Sequence, residues 1–347
     1  MKRSVPVFVA LVAACSGQPK PTASATPAPS TAPSPSASVS ASAPKEPTPE
    51  EKAKAEAAAM LEKDRKKAQA EQDAELARWT PELHAEAKAL VERKFKNGHE
   101  AMVAVVASKH RRPASFERDK DRHPVETFDF YGIKPNMQVL EFAPGEAWFT
   151  ELLAPALSKQ GKLYCSSTDP NGPPDDRMTF YGQRFKGFLA RSSEAYGKVE
   201  TVIISPMKPS LPMKGTLDMV VMMRAMHGVV NAGSLDKWLA EMFDALRPGG
   251  TLAVEQHRAK PDAVPTESAK KGYLPEKWVI DRVTAAGFVL EAKSEINANP
   301  NDTTDWPEGV WTLPPTLRLG EKDKAKYLAV GESDRMTLRF VKPKTKK

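Results

Sequence analysis

Cysteine is scarce in this chain, and its potential metal ligands are scattered. The 347 residues include two cysteines and six histidines. No closely spaced set of cysteine and histidine residues of the kind that binds structural zinc occurs, so the sequence predicts no metal site of that class. One cysteine, Cys165, stands alone in an apolar stretch, which is typical of a buried and unreactive thiol.

Basic charge is in excess, but it is not spread evenly over the chain. The formal net charge is +7. Much of the excess lies at the two ends, in Lys2, Arg3, Lys342, Lys344, Lys346 and Lys347. A nucleic-acid-binding domain concentrates its basic residues on one face of the folded body. The distribution therefore favours a solvated basic tail at 344–347 and predicts no nucleic-acid partner.

A long apolar run is also missing at the N-terminus. The run over residues 5–14 is shorter than the roughly 20 apolar residues that a transmembrane helix needs. Because Lys2 and Arg3 precede it, it predicts a signal peptide over residues 1–14.

The residues around Cys15 resemble a bacterial lipobox, in which small residues precede a cysteine that receives lipid. They read Leu11-Val12-Ala13-Ala14-Cys15-Ser16-Gly17. The resemblance implies lipidation of Cys15, anchoring of the exported chain to the cell envelope through several acyl chains, and, from Ser16, sorting to the outer membrane. An ordinary signal peptide with an incidental cysteine is the alternative.

Two segments separate Cys15 from the main domain. Residues 15–49 are mostly Pro, Ala, Ser and Thr, a composition that buries too little apolar surface to fold and predicts a disordered linker. Residues 50–97 predict a helical extension: first a solvated Ala/Glu/Lys-rich helix, then a helix capped by Thr80. The second helix has an apolar face that we expect to pack on the main domain, made of Leu83, Ala87, Leu90, Val91 and Phe95.

Residues 98–343 alternate between short apolar runs and segments with helical periodicity. The predicted strands are 139–142, 162–166, 199–204, 217–223, 251–255, 288–296 and 337–341, and the clearest helices lie around 148–157, 234–246 and 276–286. Fully apolar strands that alternate with amphipathic helices indicate an α/β fold with a mostly parallel sheet covered on both faces. Ligands of such sheets bind beyond the carboxyl ends of the strands, where the strand order switches.

Two segments of this domain resemble motifs of class I S-adenosylmethionine (SAM) methyltransferases. Residues 131–145, which end in Leu140-Glu141-Phe142-Ala143-Pro144-Gly145, resemble the first motif, and 246–252 resemble the turn before the fifth strand. Further segments are similar to a family of predicted bacterial methyltransferases: Arg122-His123-Pro124, His257-Arg258-Ala259, 294–300, 311–318 and 331–336. The resemblance implies a seven-stranded Rossmann-like methyltransferase sheet, SAM as cofactor and methyl transfer as the activity.

The resemblance also implies cofactor-binding residues. Glu141 and Gly145 match the first motif, whereas Ala143, Glu146 and Ala147 replace small or glycine positions of its usual pattern. Glu141 is predicted to accept from the SAM amino group, or else to brace the loop. Asp169, after the second strand, is predicted to accept from the ribose hydroxyls, or else to serve as a turn residue.

The predicted catalytic residues follow the fourth and fifth strands. Arg224 and His227 come after the fourth, and His257 and Arg258 after the fifth, so neighbouring strands would bring all four together. A histidine is suited to general base catalysis and an arginine to binding a carboxylate or phosphate. Structural histidines are the alternative, and a metal site formed by both histidines with Glu255 is disfavoured; Glu255 is instead expected to orient His257.

Three further groups of polar or aromatic residues have two interpretations each. The polar segment from Glu295 to Asp305 either lines a substrate entrance or forms an irregular loop. Trp306 and Trp311 form a lid or pack in the interior. For Glu332, Asp334 and Arg335, an internal ion-pair brace is the leading explanation.

The predicted export conflicts with the predicted cofactor, because SAM is made in the cytoplasm and an exported protein lies outside it. The sequence therefore leaves three hypotheses. The first is an envelope SAM-dependent methyltransferase acting on a small-molecule or lipid-like acceptor. The second is a non-catalytic lipoprotein of the same fold that binds another ligand or a protein partner, and the third is a scaffold that works through the 50–97 helices.

Overall fold

The computed structural model describes residues 48–205 and 207–344. The signal peptide, Cys15 and nearly all of the 15–49 linker lie outside the described residues, so their assignments stay predictions. None of the helices within the described ranges is both long enough and apolar enough to cross a membrane.

Two helices form the predicted N-terminal extension. They are α1 (Pro49–Arg78) and α2 (Pro81–Val91). Thr80 caps α2, its hydroxyl accepting from the backbone N–H of Leu83 at 3.3 Å. Helix α2 buries Leu83, Ala87 and Val91, as predicted, and partly buries Leu90. Phe95 is buried too, but it lies beyond the end of the helix, which was predicted to include it. Helix α1 buries only Leu61.

The rest of the chain alternates between helices and strands. The strands are β1 (Gln138–Phe142), β2 (Lys162–Ser167), β3 (Glu200–Ile203), β4 (Leu217–Met223), β5 (Leu246–Ala259), β6 (Leu274–Pro275), β7 (Val289–Ser294) and β8 (Arg335–Val341). The helices are α3 (Gly98–Val106), α4 (Pro113–Phe116), α5 (Asp119–Arg122), α6 (Pro124–Tyr131), α7 (Thr150–Leu157), α8 (Arg177–Leu189), α9 (Ser193–Tyr196), α10 (Met226–Asn231), α11 (Leu235–Ala245), α12 (Pro265–Lys270), α13 (Glu276–Ala285) and α14 (Lys324–Val330), with a 3₁₀ turn at Gly309–Thr312.

The strands form one sheet in the order β3-β2-β1-β4-β5-β8-β7, with the two-residue β6 pairing with β5. The pairs from β3 through β5 are parallel, and β8 runs antiparallel to both β5 and β7. The predicted Rossmann-like, mostly parallel sheet with seven main strands is therefore confirmed, and β6 is a short addition that the sequence did not reveal.

Both faces of the sheet are covered by apolar clusters. One cluster joins helices α2, α3, α6 and α7 to the sheet, and the other joins α10, α11 and α13 to the opposite face. Cys165 lies in the first cluster and is fully buried, as predicted. The chain moves from β1 to β2 on one side and from β4 to β5 on the other, so the order switches between β1 and β4, which places the expected ligand cleft at the carboxyl ends of these strands.

Candidate ligand cleft at the carboxyl ends of the strands

The loop after β1 keeps a left-handed backbone at three alternate positions. The φ angles are 52° at Ala143, 58° at Gly145 and 63° at Ala147. Only glycine adopts such angles without cost, and another residue loses about 1–2 kcal/mol. The replacement of expected glycines by alanine has therefore left the turn in place at an energetic cost, which is usual where a backbone shape serves a function. A Cβ atom at Gly145 would meet no atom within 4 Å, so open space lies beside this turn.

Glu141, at the end of β1, is a buried acid with one satisfied oxygen. Its Oε2 accepts from the Thr150 hydroxyl at 2.7 Å and lies 3.5 Å from the Cys165 thiol. Its Oε1 is buried without a hydrogen-bond partner among the described residues. Burial raises the pKa of Glu141 to about 7, although Thr150, Cys165 and the nearby charge of Arg224 act in the opposite direction.

Glu146, which replaces a small or glycine position of the first motif, is paired with arginines. Its carboxylate lies 3.4 Å from Arg118 and 3.6 Å from Arg184. Burial disfavours its ionised form, but the charges of Arg118, Arg184 and Arg112 outweigh burial and lower the pKa of Glu146. Its negative charge is therefore largely offset by its neighbours.

Asp169 lies two residues beyond β2 and is exposed. Its carboxylate accepts from the backbone N–H of Asn171 at 2.9 Å, which is the contact of a turn-forming aspartate. This contact supports the turn interpretation, and the exposed position leaves the predicted ribose role open.

Arg224 follows β4 directly and has an unusual backbone. Its φ angle is 56°, and its N–H donates to the carbonyl of Glu255 at 2.6 Å. Its guanidinium lies 5.2 Å from the centre of the Phe149 ring. It approaches the carboxylates of Glu332 at 3.6 Å and Glu255 at 3.9 Å, which are ion-pair rather than hydrogen-bond distances.

A buried ion network that the sequence only partly revealed lies against Arg224. The Nε atom of Arg122 donates to both oxygens of Glu332 at 3.0 and 2.9 Å, and Arg335 donates to Glu332 at 2.5 Å. Arg335 also lies 3.5 Å from Glu255. Burial disfavours the ionised carboxyl of Glu332, but the three arginines outweigh it and lower the pKa of Glu332 to about 2. The brace predicted for Glu332 and Arg335 is confirmed.

Arg122 and Asn297 complete this network. Arg122 was assigned no role from the sequence, and Asn297 belongs to the polar segment that was expected to line a substrate entrance or to form an irregular loop. The amide of Asn297 donates to the hydroxyls of Thr127 and Thr337 at 3.0 and 3.1 Å and approaches Glu255 at 3.4 Å. Both residues lie in segments that the family resemblance had marked. The family resemblance singled out these two segments, but it could not show that they are in contact in the folded protein.

The two predicted histidines do converge. The rings of His227 and His257 are 5.7 Å apart, and His227 lies 5.8 Å from the ring of Trp311. Burial lowers the pKa of His227 to about 4 and, with the charges of His227 and nearby arginines, lowers the pKa of His257 well below its usual value. Both imidazoles are therefore neutral at pH 7, the form in which histidine acts as a general base.

The predicted hydrogen-bond partner of His257 was wrong. Its Nδ1 lies 2.5 Å from the hydroxyl of Ser333. Glu255, predicted to orient it, is instead placed beside Arg224, Arg335 and Asn297. The carboxylate is drawn to the arginines because buried charges need charged partners.

Arg258 differs from the other three predicted catalytic residues. Its guanidinium donates to Asp334 at 2.9 and 3.0 Å, to Glu295 at 3.0 and 2.6 Å and to Glu276 at 3.0 Å. These bonds raise the pKa of Arg258. Every N–H direction of the guanidinium is used by a carboxylate, so the contacts favour a structural brace over substrate binding.

The remaining polar segment is mostly structural as well. Asp302 accepts from Tyr273 at 3.0 Å and from the indole of Trp306 at 2.6 Å, and Asn299 donates to the carbonyls of Val330 and Glu332. Trp306 is buried, so it packs rather than forms a lid. Trp311 is only partly buried and lies beside His227, which makes it a wall of the cleft.

A cavity of about 210 Å³ lies between α1, α8 and the loop after β1. Arg65, Arg112, Arg191 and Phe188 are among its lining residues. Helix α1 is held there by polar contacts, such as Arg65 to Gln183 at 2.9 Å. In the described ranges, no group of three or more His, Cys, Asp or Glu side chains has an arrangement that could hold a metal ion.

Comparison with known proteins finds solved structures that are similar to this chain in overall fold. No protein-family model and no curated protein matches the chain. Among solved structures, it is similar to a SAM-dependent methyltransferase from Aquifex aeolicus, with 16% identity and a TM-score of 0.43 over 65% of this chain and 93% of that one.

Two other solved structures are similar to a comparable extent. A SAM-dependent methyltransferase from Methanosarcina mazei has 12% identity and a TM-score of 0.42 over 63% of this chain and 97% of that one. A geranyl diphosphate methyltransferase in complex with SAM has 14% identity and a TM-score of 0.42 over 73% of this chain and 94% of that one. The strand order and pairing define the fold of this chain.

Proposed function

We propose that this protein is a SAM-dependent methyltransferase of the cell envelope with a small-molecule or lipid-like acceptor. The observation that carries the proposal is the loop after β1. It keeps three left-handed residues, at Ala143, Gly145 and Ala147, beside open space at the switch point of the sheet. The steric cost of two left-handed alanines is explained if the shape of the turn is needed for a ligand.

The residues at this turn fit SAM. The buried Oε1 of Glu141 lacks a partner among the described residues, and an unsatisfied buried acceptor of this kind suits the amino group of the cofactor. The backbone at Gly145 would pass beneath the cofactor, and Asp169 would accept from its ribose hydroxyls. Bound SAM supplies an electrophilic methyl group on a positively charged sulfur.

The opposite side of the cleft provides the groups that an acceptor needs. His227 and His257 are neutral and 5.7 Å apart, so either could take a proton from an acceptor hydroxyl or acid as the oxygen attacks. Ser333 holds Nδ1 of His257 at 2.5 Å and thereby leaves Nε2 for that proton. The partly buried ring of Trp311 lies beside His227 and gives this side an aromatic surface.

The proposed location follows from the N-terminus. Lipid on Cys15 would anchor the protein to the envelope, and residues 15–49 would separate the folded domain from the membrane. SAM must then reach the outside of the cytoplasm, and an acceptor held in or near a membrane would be within reach of the tethered cleft.

A non-catalytic ligand-binding lipoprotein is the second candidate. The observation that favours it is the position of the Arg224 guanidinium. Its charge acts on Glu141, which places a guanidinium near the proposed cofactor site. A cationic sulfur and an arginine repel each other unless the carboxylates of Glu255 and Glu332 offset the repulsion.

Calorimetric titration of the full-length protein in detergent, with SAM and with S-adenosylhomocysteine, tests the proposal. We expect saturable binding of both, weakened about tenfold or more by Glu141→Ala and by Asp169→Ala, because each loses a polar contact to the ligand. Asp281→Ala, which removes an exposed carboxylate on α13, is the control and should bind as the wild type does. Flat titrations of the folded protein would rule out the cofactor and favour the second candidate.

A further inference from the structure

We propose that Arg224 binds an anionic group of the acceptor, a carboxylate or a phosphate, in the cleft between the ends of β4 and β5. The identification of the ligand as the acceptor rests on the proposed function, whereas the anion site itself is carried by the charge and geometry of the cluster around Arg224.

In this cluster, three arginines lie within ion-pair distance of only two carboxylates. Three guanidinium groups, those of Arg122, Arg224 and Arg335, face the two carboxylates of Glu255 and Glu332. The adjacent histidines are neutral, so they do not change this balance. Asp121 and Glu141 add negative charge nearby, acting with Arg335 and Arg224 respectively, but neither forms an ion pair with Arg224. A buried charge is unfavourable without a close partner, and a bound anion would give the Arg224 guanidinium an acceptor at hydrogen-bond distance.

Arg224 is the arginine that can reach a ligand. Its side chain is 18% exposed, compared with 2% for Arg122 and 1% for Arg335. Arg122 and Arg335 make the short bonds to Glu332. Arg224 stays 3.6 Å or more from both carboxylates, and its side chain donates no hydrogen bond to the residues that the structure describes. Its planar fork is therefore free for bidentate binding.

The surroundings hold this fork in place before a ligand arrives. The left-handed backbone of Arg224 is fixed by its bond to the Glu255 carbonyl, and the Phe149 ring supports the flat side of the guanidinium at 5.2 Å. Stacking on one face leaves the N–H edges available. Strain at a non-glycine strand end is maintained where it positions a functional group.

The neighbours of Arg224 assign the anion to the acceptor rather than to the carboxylate of SAM. Arg224 follows β4, which lies between β1 and β5, so Glu141 is on one side of it. It makes its ion pair within the other side, with Glu255 of β5, and the same strand carries His257, whose ring lies next to His227. These are the groups proposed to act on the acceptor. An acceptor whose anionic group lies on Arg224 would present a nearby hydroxyl or acid to the histidines.

Titration with inorganic phosphate, and separately with acetate, at constant ionic strength tests the anion site without any cofactor. We expect saturable binding to the full-length wild type in detergent and at least a tenfold weaker affinity in Arg224→Gln. Arg224→Lys should lie between the two, because it keeps the charge but loses the fork. The matched control is Arg258→Gln, which removes a strand-end arginine already saturated by carboxylates and should leave anion affinity unchanged.

The outcomes separate the claims. Absence of saturable anion binding to the wild type, or equal binding by folded Arg224→Gln, overturns the site. A parallel titration with S-adenosylhomocysteine identifies the ligand: unchanged affinity in Arg224→Gln supports the acceptor, and a matching loss overturns this assignment in favour of the cofactor carboxylate. If phosphate binds through Arg224 but S-adenosylhomocysteine does not bind at all, the proposed methyl transfer fails and the anion site stands.

Discussion

The two halves of the cleft are built by different means. At the ends of β1 and β2 the cleft is shaped mainly by the backbone, which is left-handed at residues 143, 145 and 147. A single buried acid, Glu141, accompanies it. At the ends of β4 and β5 the cleft is formed mainly by side chains, in a network of arginines and glutamates from positions 122 to 335. A backbone turn survives the loss of its preferred glycines, whereas a charge network depends on each member.

This difference gives the two halves different sensitivities. Buried charges are worth little while they are paired, but they become costly when one partner is lost. A turn held by its neighbours loses or gains only the local conformational cost of one residue. Substitutions in the β4–β5 half should therefore have large effects, and those in the turn of the β1–β2 half small ones.

The largest effect is expected for Glu332→Ala. This change removes the carboxylate that accepts from the buried Arg122 and Arg335, so we expect the free energy of unfolding in urea to fall by about 3–5 kcal/mol. The control is Glu291→Ala, which removes the partner of Arg339 in a partly exposed pair and should cost less than about 1 kcal/mol. Equal and small losses in both variants would contradict the view that the network is a buried brace.

Glu141→Gln should have an intermediate effect that depends on pH. The pKa of Glu141 is raised from 4.5 to about 7 in the folded protein, so the folded state holds this proton more tightly than the unfolded state. Wild-type stability therefore falls as pH rises through this interval, and glutamine has no proton to lose. We expect the stability advantage of Glu141→Gln to grow between pH 4.5 and 7 and to level off near roughly 3 kcal/mol.

Urea unfolding of both proteins at a series of pH values from 4 to 9 measures this difference. A difference in stability that is independent of pH would show that Glu141 is not the titrating acid. Saturating S-adenosylhomocysteine should stabilise the wild type more than Glu141→Gln if its amino group binds the carboxylate.

The smallest effect is expected for Ala143→Gly. The exposed alanine has a left-handed backbone, so glycine removes the steric cost, and we expect a gain of about 0.5–1 kcal/mol after the entropy of the unfolded chain is included. Ala85→Gly, at an exposed helical position of α2, should lose about 1 kcal/mol. A loss at position 143 as large as that at position 85 would show that the turn does not carry the expected strain.

Patterns within short segments predicted much of the fold. The apolar face of α2, the burial of Cys165 and the seven main strands were all confirmed, because each depends on the hydrophobicity of a continuous stretch. The two-residue strand β6 was missed, since so short a segment has no periodicity. The turn expected at 246–252 lies inside β5 as the structure defines it. The irregularity is still present there, because Gly249 has a φ angle of 79° and the pairing of β4 with β5 shifts register between Leu246 and Thr251.

The candidate site was predictable only in part. Strand ends are visible in the sequence, so the convergence of Arg224, His227 and His257 could be anticipated. The same reasoning did not separate Arg224 from Arg258, because it could not show that Asp334, Glu295 and Glu276 surround the latter. It also paired His257 with Glu255, two residues away, when the partner is Ser333, 76 residues away.

By itself, the sequence determined the order of helices and strands and the edge of the sheet where a ligand would bind. These follow from hydrophobic periodicity and from the connectivity of parallel strands. Only the tertiary structure decided which charged groups are paired and which one remains available. The reason is that the fate of a buried charge is set by partners far away in the chain, and here Arg122, Glu255 and Glu332 meet only after the sheet has formed.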